Sequence, residues 1–218
     1  MTELNASIRH IPMPKGMARL PLTEKGFPVL FFADEIDGKP DLRVMDGRKF
    51  VRCINEKLCW LCGGKLGVHM AFVSGPMCVI TRTSSEPPSH YDCANYAARA
   101  CPFLTQPRMR RNEKGMPAEA SMAGIGIKRN PGCCAIYVTR SYKAWRAENG
   151  VLVTMGEPER VEWWAEGRQA TRAEISASIE SGYPLLQEQA RRDKDPIGAE
   201  ADLALRLTHV VDHLVPAA

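Results

Sequence analysis

Four residues of this chain have the types and the spacing of metal ligands. Cys59 and Cys62 are separated by two residues and followed by two glycines, and His90 and Cys93 are separated by two residues further along. Thiolates at this spacing in a tight turn can bind one cation, and residues at positions i and i+3 of a helix face the same way. Three cysteines and one histidine fit tetrahedral Zn²⁺ best. Because four protein ligands leave no open position, we expect one structural zinc ion rather than a catalytic one.

Other ligand arrangements stay open from spacing alone. Cys78 or Cys101 could replace one of the four ligands. His209 and His213 lie four residues apart in a predicted helix, but no third ligand is evident, and a solvated helix face is the preferred interpretation. The plain alternative to a metal site is that the first two cysteines are small buried apolar residues.

A turn, a hairpin and a helix are predicted to bring the two ligand pairs together. A helix capped by Asp46 leads into the first pair. Residues 74–76 are a turn signal between apolar runs at 68–73 and 77–81, which predict a β-hairpin. Ser89 begins a sequence that resembles a capping box and predicts a helix to about residue 100. This order of elements resembles a treble-clef zinc finger.

Short strands and helices are predicted on both sides of this region, so the fold class is α+β. Residues 29–33 and 42–45 flank a turn signal and predict another hairpin. Three strand-type runs predict a small C-terminal antiparallel meander, at 135–139, 151–155 and 161–165. Three helices are predicted after it: from Thr171 to Gly182, from Pro184, and from Asp195, the last with an apolar stripe.

The pattern divides the chain into four parts. They are an N-terminal arm at 1–26, a zinc-binding treble-clef region at 27–105, a basic connection at 106–132 and a C-terminal α+β region at 133–218. The arm either stays mobile or lies over another element. The second and fourth parts can also form one compact domain.

Composition is typical of a globular protein of the cytoplasm. Hydrophobic residues make up 44 % of the chain, which is enough for a core. The longest apolar run, at 29–33, is far shorter than the roughly 18 residues of a membrane span, so we expect no membrane partner. The eight cysteines follow no apolar signal segment, and we expect them to be reduced or metal-bound.

The positive charge is concentrated in the basic connection. The whole chain carries +4, and residues 108–129 contain six cations against two acids. Clustered arginines and lysines can neutralise nucleic-acid phosphates. The candidates are Arg82, Arg99, Arg108, Arg110, Arg111, Lys114, Lys128 and Arg129. Solvating charges on a flexible loop are the alternative that the sequence does not separate from this one.

Several segments resemble an uncharacterised family of bacteriophage and prophage proteins. They are GKPDLRV at 38–44, LCWLCG at 58–63, FVSGPMC at 72–78, EPPSH at 86–90, CA at 93–94, ACPF at 100–103 and WAEGRQATRAE at 164–174. Together they cover most of residues 27–190. The resemblance implies a protein of the bacterial host cytoplasm with a treble-clef-like zinc finger, and it implies no particular activity.

Three functions compete at this point. We expect a zinc-stabilised accessory protein that binds DNA or RNA. The alternative is a protein-binding modulator of a host or phage enzyme, with the last helix as its surface. A His-Asn-His-type nuclease with His69 as general base is less expected, because no Asp-His pair precedes the predicted hairpin and zinc ligands occupy the positions for catalytic magnesium.

Overall fold

The chain folds into a mixed α and β structure, which the computed structural model describes for residues 2–116, 123–124 and 129–217. The helices are α1 Lys15–Ala18, α2 Gly47–Glu56, α3 Pro76–Thr81, α4 Tyr91–Ala100, α5 Pro102–Thr105, α6 Arg172–Arg191 and α7 Pro196–His209, which continues as a π-helical turn, Val210–Leu214. The strands are β1 Ala33–Ile36, β2 Lys39–Met45, β3 Met70–Ser74, β4 Thr83–Ser84, β5 Cys134–Thr139, β6 Tyr142–Ala147, β7 Gly150–Met155, β8 Pro158–Ala165 and β9 Arg168–Gln169.

The strands in the described ranges pair antiparallel in three sheets. β1 and β2 form a hairpin, four strands follow the order β3-β5-β8-β9, and three follow the order β4-β7-β6. The prediction of a mixed α and β fold with antiparallel pairing is therefore confirmed. The first predicted hairpin forms around Asp37 and Gly38, which both have positive φ, but its first strand begins at Ala33 rather than at residue 29. Positive φ at both turn residues matches the twist of the flanking strands.

The hairpin predicted at 68–81 is wrong. Its first half is β3, but its second half is the helix α3, with Pro76 at the first helical position. β3 pairs instead with β5, from Met70 opposite Thr139 to Ser74 opposite Ala135. A short apolar run cannot be assigned to strand or helix by periodicity alone, and proline fixes a φ that suits the start of a helix.

The predicted meander is also wrong in its topology, although its three strands exist as β5, β7 and β8. β5 and β8 are neighbours in the four-stranded sheet, whereas β7 belongs to the other sheet. β6, which was not predicted from the sequence, pairs with β7. All six residues of β5 are buried, as expected for a central strand covered on both faces.

The helix that begins at Thr171 has the predicted capping box, but its predicted end is wrong. α6 continues through Gly182 and Pro184 to Arg191. Gly182 lies against the side chain of Met77, so that a Cβ there would be 3.0 Å from the Met77 sulfur. This glycine therefore permits close packing of α3 on α6 rather than ending a helix.

The predicted cap of the last helix, α7, is confirmed, because the Asp195 carboxylate accepts the Gly198 N–H at 3.1 Å.

One apolar core joins the two ends of the chain. The arm buries Ile8, Ile11 and Met17 in the same cluster as Val215. The arm therefore lies over other elements and is not mobile, which is one of the two predicted alternatives. β3 and β5 pair in one sheet and so join the second and fourth of the predicted parts, whose boundaries stay a prediction.

Within the described ranges, no helix combines the length and the apolar character that a membrane crossing needs.

Asp46 provides a test of the helix that leads into the first ligand pair. Its carboxylate accepts the N–H groups of Arg48 at 2.8 Å and Lys49 at 3.3 Å, and the residue is 8 % exposed. We expect Asp46→Ala to lower the free energy of unfolding by about 1 kcal/mol, because two amide groups at the start of α2 lose their acceptor. Chemical denaturation measures this, and Asp46→Asn, which keeps one acceptor oxygen, is the control. Equal losses in both variants would contradict the capping role.

Candidate metal centre

The first ligand pair lies in a tight turn between α2 and β3. An isolated β-bridge between Leu58 and Lys65 closes the turn. Inside it, the Cys59 N–H donates to the Gly64 carbonyl at 2.7 Å, and the Gly63 N–H donates to the Cys59 carbonyl at 2.8 Å. These bonds hold both cysteines on a short curved backbone, as the sequence spacing predicted.

Glycine and aromatic packing fix the orientation of this turn. Gly63 has φ +71°, and a Cβ at this position would lie 2.6 Å from the ring of Phe31. Trp60, between the two cysteines, is 1 % exposed. Its ring stacks on Phe32 at 4.9 Å and meets Phe50 edge-on at 5.7 Å. The indole therefore anchors the turn in the core, and Gly63 supplies a backbone conformation that other residues rarely adopt.

The second ligand pair lies at the N-terminus of α4. His90 is the N-cap residue and Cys93 is the third helical residue. The predicted helix start at Ser89 is one residue early, since His90 holds the cap position and no side chain caps the helix. The His90 N–H points to the Cys59 sulfur at 3.3 Å. A helix N-terminus favours negative charge, so this position suits a thiolate.

The four predicted ligands come together in space. One ligand atom from each of Cys59, Cys62, His90 and Cys93 lies within 4.8 Å of every other, so the group could hold a metal ion. His90 Nδ1 is 3.4 Å from the Cys62 sulfur and 3.8 Å from the Cys93 sulfur. The three cysteines are at most 3 % exposed. Donors at this separation and burial are typical of a closed structural site.

The surrounding backbone orients the donors. His90 Nε2 is 2.8 Å from the Lys65 carbonyl, which makes Nε2 the protonated nitrogen and leaves the lone pair of Nδ1 facing the sulfurs. The Gly64 N–H donates to the Cys62 sulfur at 3.5 Å, as the His90 N–H does to Cys59. These N–H groups partly neutralise sulfur charge. The donor set and its supporting bonds therefore fit a cation.

The electrostatics of the three thiols also favour a cation. Hydrogen bonds from Cys62 and Cys93 lower the pKa of Cys59, and hydrogen bonding to Cys59 raises the pKa of both Cys93 and Cys62. One thiolate is therefore stabilised at the expense of the other two. A cation at the centre of the group removes this conflict, because it lets all three sulfurs be negative.

The two cysteines that spacing left open as substitutes lie elsewhere. Neither Cys78 nor Cys101 belongs to the four-residue group. Burial, and then the carboxyl of Glu86, raise the pKa of Cys78 to about 11. Burial raises the pKa of Cys101 as well, with a smaller contribution from Glu86. Glu86 itself has a pKa of about 7, because burial outweighs the nearby Arg111. Sequence patterns gave no signal for the raised pKa of this half-buried carboxyl.

His209, His213 and His69 belong to no further metal-ligand group among the described residues. The rings of His209 and His213 are 5.0 Å apart, but no third ligand joins them in the part of the chain that the structure describes. His69, the base of the nuclease hypothesis, lies 2.6 Å from Glu159, which also pairs with Arg140. His69 is thus engaged in a surface hydrogen bond and is not a member of the metal-ligand group.

Of the eight predicted nucleic-acid contacts, three bond to other residues of the protein, one is half-buried and one lies outside the described residues. Arg82 pairs with Glu157, and Arg99 is half-buried in the last turn of α4. The Arg111 guanidinium donates to the Arg43 carbonyl at 2.7 Å. The Arg129 guanidinium donates to the carbonyls of Asn130 and Ser181, both at 3.2 Å. Lys128 lies outside the described residues.

The other three, Arg108, Arg110 and Lys114, are exposed. In the described ranges, no acid forms an ion pair with any of these three. An isolated β-bridge places Arg110 directly opposite Arg129. We use the name cationic surface for three residues of this connection: Arg108, Arg110 and Arg129.

Substitution of single cysteines tests the ligand set. We expect wild-type protein to carry about one zinc ion per chain and Cys62→Ser to lose it, because three donors bind zinc far less tightly than four. Cys101→Ser is the matched control, since it removes a cysteine that lies outside the group, and it should keep its metal. Elemental analysis of purified proteins measures both. A metal-free wild type, or equal metal loss in the two variants, would contradict the assignment.

Glu86 gives the fold a pH dependence. Its folded-state pKa of about 7 lies above the ordinary value of 4.5, so the unfolded chain releases this proton first as the pH rises. The free energy of unfolding therefore falls as the pH rises from about 4.5 to about 7. We expect Glu86→Gln to raise the midpoint of thermal unfolding at about pH 8 and to change it little at about pH 4. Glu180→Gln, at an exposed position of α6, should leave both unchanged; destabilisation by Glu86→Gln at the higher pH would reject this account.

The chain matches no protein-family model, no curated protein and no solved structure. Its resemblance to a bacteriophage family, carried by short segments, therefore stays a prediction. Two features of the described residues bear on function: the metal-ligand group and the cationic surface.

Proposed function

We propose that the protein is a zinc-stabilised phage or prophage accessory protein that binds nucleic acid through the cationic surface. The observation that carries the proposal is the bridge between Arg110 and Arg129, with Arg108 beside it. Like charges directly opposite each other in a strand pair are destabilising. An anionic partner removes that repulsion, and a phosphate backbone supplies evenly spaced negative charges.

The charges of this surface are not neutralised within the described residues. Arg129 donates to two carbonyl oxygens, which are neutral acceptors and leave its positive charge in place. Arg108 and Arg110 both lie in the run 105–110, which borders an open depression of the surface. Clustered cations that no acid neutralises raise the local potential that attracts phosphates.

Hydrogen bonds to the folded core hold the flanks of the surface in place. Arg43, itself paired with Asp41, donates to the carbonyls of Asn112 at 2.9 Å and Lys114 at 3.0 Å. Asn130 donates to the carbonyls of Phe103 at 2.7 Å and Gln106 at 3.0 Å. This anchoring supports a preformed binding surface over a run of solvating charges, because ordering the chain on binding then costs less entropy.

In this proposal zinc stabilises the fold. A Cys-x-x-Cys turn followed by a helix that carries two ligands near its start is the ligand order of a treble clef, with β3 and α3 in place of the usual hairpin. Three thiolates and one imidazole favour Zn²⁺ over the oxygen-preferring Mg²⁺ and Ca²⁺. The ion would join the turn before β3 to the helix after it and so support the connection that follows α5.

A second candidate, a protein-binding modulator, is favoured by one observation. Ile197 and Leu205 lie two helical turns apart on α7 and are 83 % and 72 % exposed. Large apolar side chains on one helix face are a common contact for a partner protein. A partner that binds there would leave the cationic surface free, so the two functions are separable by mutation.

A band-shift titration over several salt concentrations tests nucleic-acid binding. We expect Arg108→Ala with Arg110→Ala to weaken binding at least tenfold at low salt and to reduce the slope of log K against log salt by about 2, one per lost phosphate contact. Arg192→Ala with Lys194→Ala, at the α6–α7 junction, removes the same charge and should keep the wild-type slope. Wild-type protein that binds neither duplex nor single-stranded nucleic acid at low salt, or equal effects of both double variants, would reject the proposal.

A further inference from the structure

The N-terminal segment, taken here as residues 2–31, touches the Cys-x-x-Cys turn at three points. A Cβ on Gly16 in α1 would lie 3.0 Å from the Cys62 sulfur. The Arg19 guanidinium donates to the Cys62 carbonyl at 3.4 Å, and the Phe31 N–H donates to the Leu61 carbonyl at 2.9 Å. Two of these contacts involve a metal ligand directly. The segment thus covers one side of the metal-ligand group.

Residues 5–29 of this segment form a closed loop with little regular structure. The Asn5 N–H donates to the Gly26 carbonyl at 2.9 Å, and the Val29 N–H donates to the Pro21 carbonyl at 2.8 Å. Its helix α1 has four residues. Segments held by few backbone bonds open locally at a lower free energy than sheets and long helices. What holds this loop on the protein is its buried apolar residues and its contacts with the turn.

We infer that the metal centre is a latch for the N-terminal segment. The inference rests on the proposed metal ion. With the ion bound, the Cys62 sulfur and carbonyl are fixed where Gly16 and Arg19 fit against them. Without the ion, the Cys62 side chain loses its link to α4, and two of the segment's three contacts with the turn are weakened. Because coupling between two binding events is reciprocal, the docked segment strengthens metal binding by the same factor that the metal strengthens docking.

Release of the segment uncovers apolar surface. Ile8, Ile11 and Met17 are each at most 5 % exposed when the segment is docked. The partner surface in the core becomes exposed with them. Metal loading therefore shifts the equilibrium between the docked and the released segment, which makes the segment a metal-dependent cover rather than a mobile arm.

Limited trypsin digestion of the full-length protein tests the latch. The segment contains exposed cleavage sites at Lys15, Arg19 and Lys25. We expect chelator treatment to speed cleavage at these sites at least tenfold, and cleavage at the exposed Arg192 of the α6–α7 junction to change much less. Metal content is measured on the same samples. Loss of the metal with unchanged cleavage of the segment would overturn the latch while leaving the metal centre intact, and a metal-free wild type would overturn both.

A pair of glycine variants tests the reciprocal effect on metal affinity. Gly16 and Gly47 are both helical with ordinary φ, but a Cβ on Gly47 meets no atom within 4 Å. In a chelator competition, we expect Gly16→Ala to weaken zinc binding about tenfold and to speed cleavage of the segment in the zinc-loaded protein. Gly47→Ala should change neither. Arg19→Ala, which removes the bond to the Cys62 carbonyl without adding an atom, should shift both in the same direction as Gly16→Ala. Wild-type behaviour of both Gly16→Ala and Arg19→Ala would overturn the inference.

Discussion

The convergence of three sulfurs and one imidazole within 4.8 Å is the constraint on which the rest of the structure depends. Buried thiols this close cannot all be ionised in the absence of a cation, and neutral thiols gain little from one another. The backbone around them nevertheless directs N–H groups at two of the sulfurs and holds the imidazole by its far nitrogen. A bound cation would relieve this conflict of charges and would link α4 to the turn before β3.

The sequence predicted the parts of this site that depend on local chemistry. Ligand spacing identified all four residues, Asp46 marked the start of α2, and Thr171 marked the start of α6, because each of these signals acts within one turn of chain. Signals that depend on distant partners failed. Pro76 suits the start of a helix, but no local signal predicts that α3 packs on Gly182 or that β3 pairs with β5. Tertiary packing overrides local propensity in such cases.

The role of each predicted nucleic-acid contact also depends on residues that are distant in the sequence. Eight cations were equivalent in the sequence, but the fold divides them according to their neighbours. Arg82 and Arg111 are used inside the protein, where an acid or a carbonyl meets them. Arg108 and Arg110 meet no acid within the described residues, and the anchors at Arg43 and Asn130 hold their segment against the core. A count of charges therefore predicts where a basic region lies, whereas its use depends on hydrogen bonds that only the fold reveals.

The pairing of β3 with β5 also has a consequence for the order of folding. All four candidate ligands precede residue 94, but β3 lies between the two ligand pairs and finds its partner only at residues 134–139. During synthesis the ligand-bearing half leaves the ribosome first, and the loop that a bound metal would close is shorter than the loop closed by the β3–β5 ladder. With a cation bound, the ligand-bearing half would assemble while β3 still presents an unpaired edge. Until β5 is synthesised, that edge is open to pairing with a neighbouring chain.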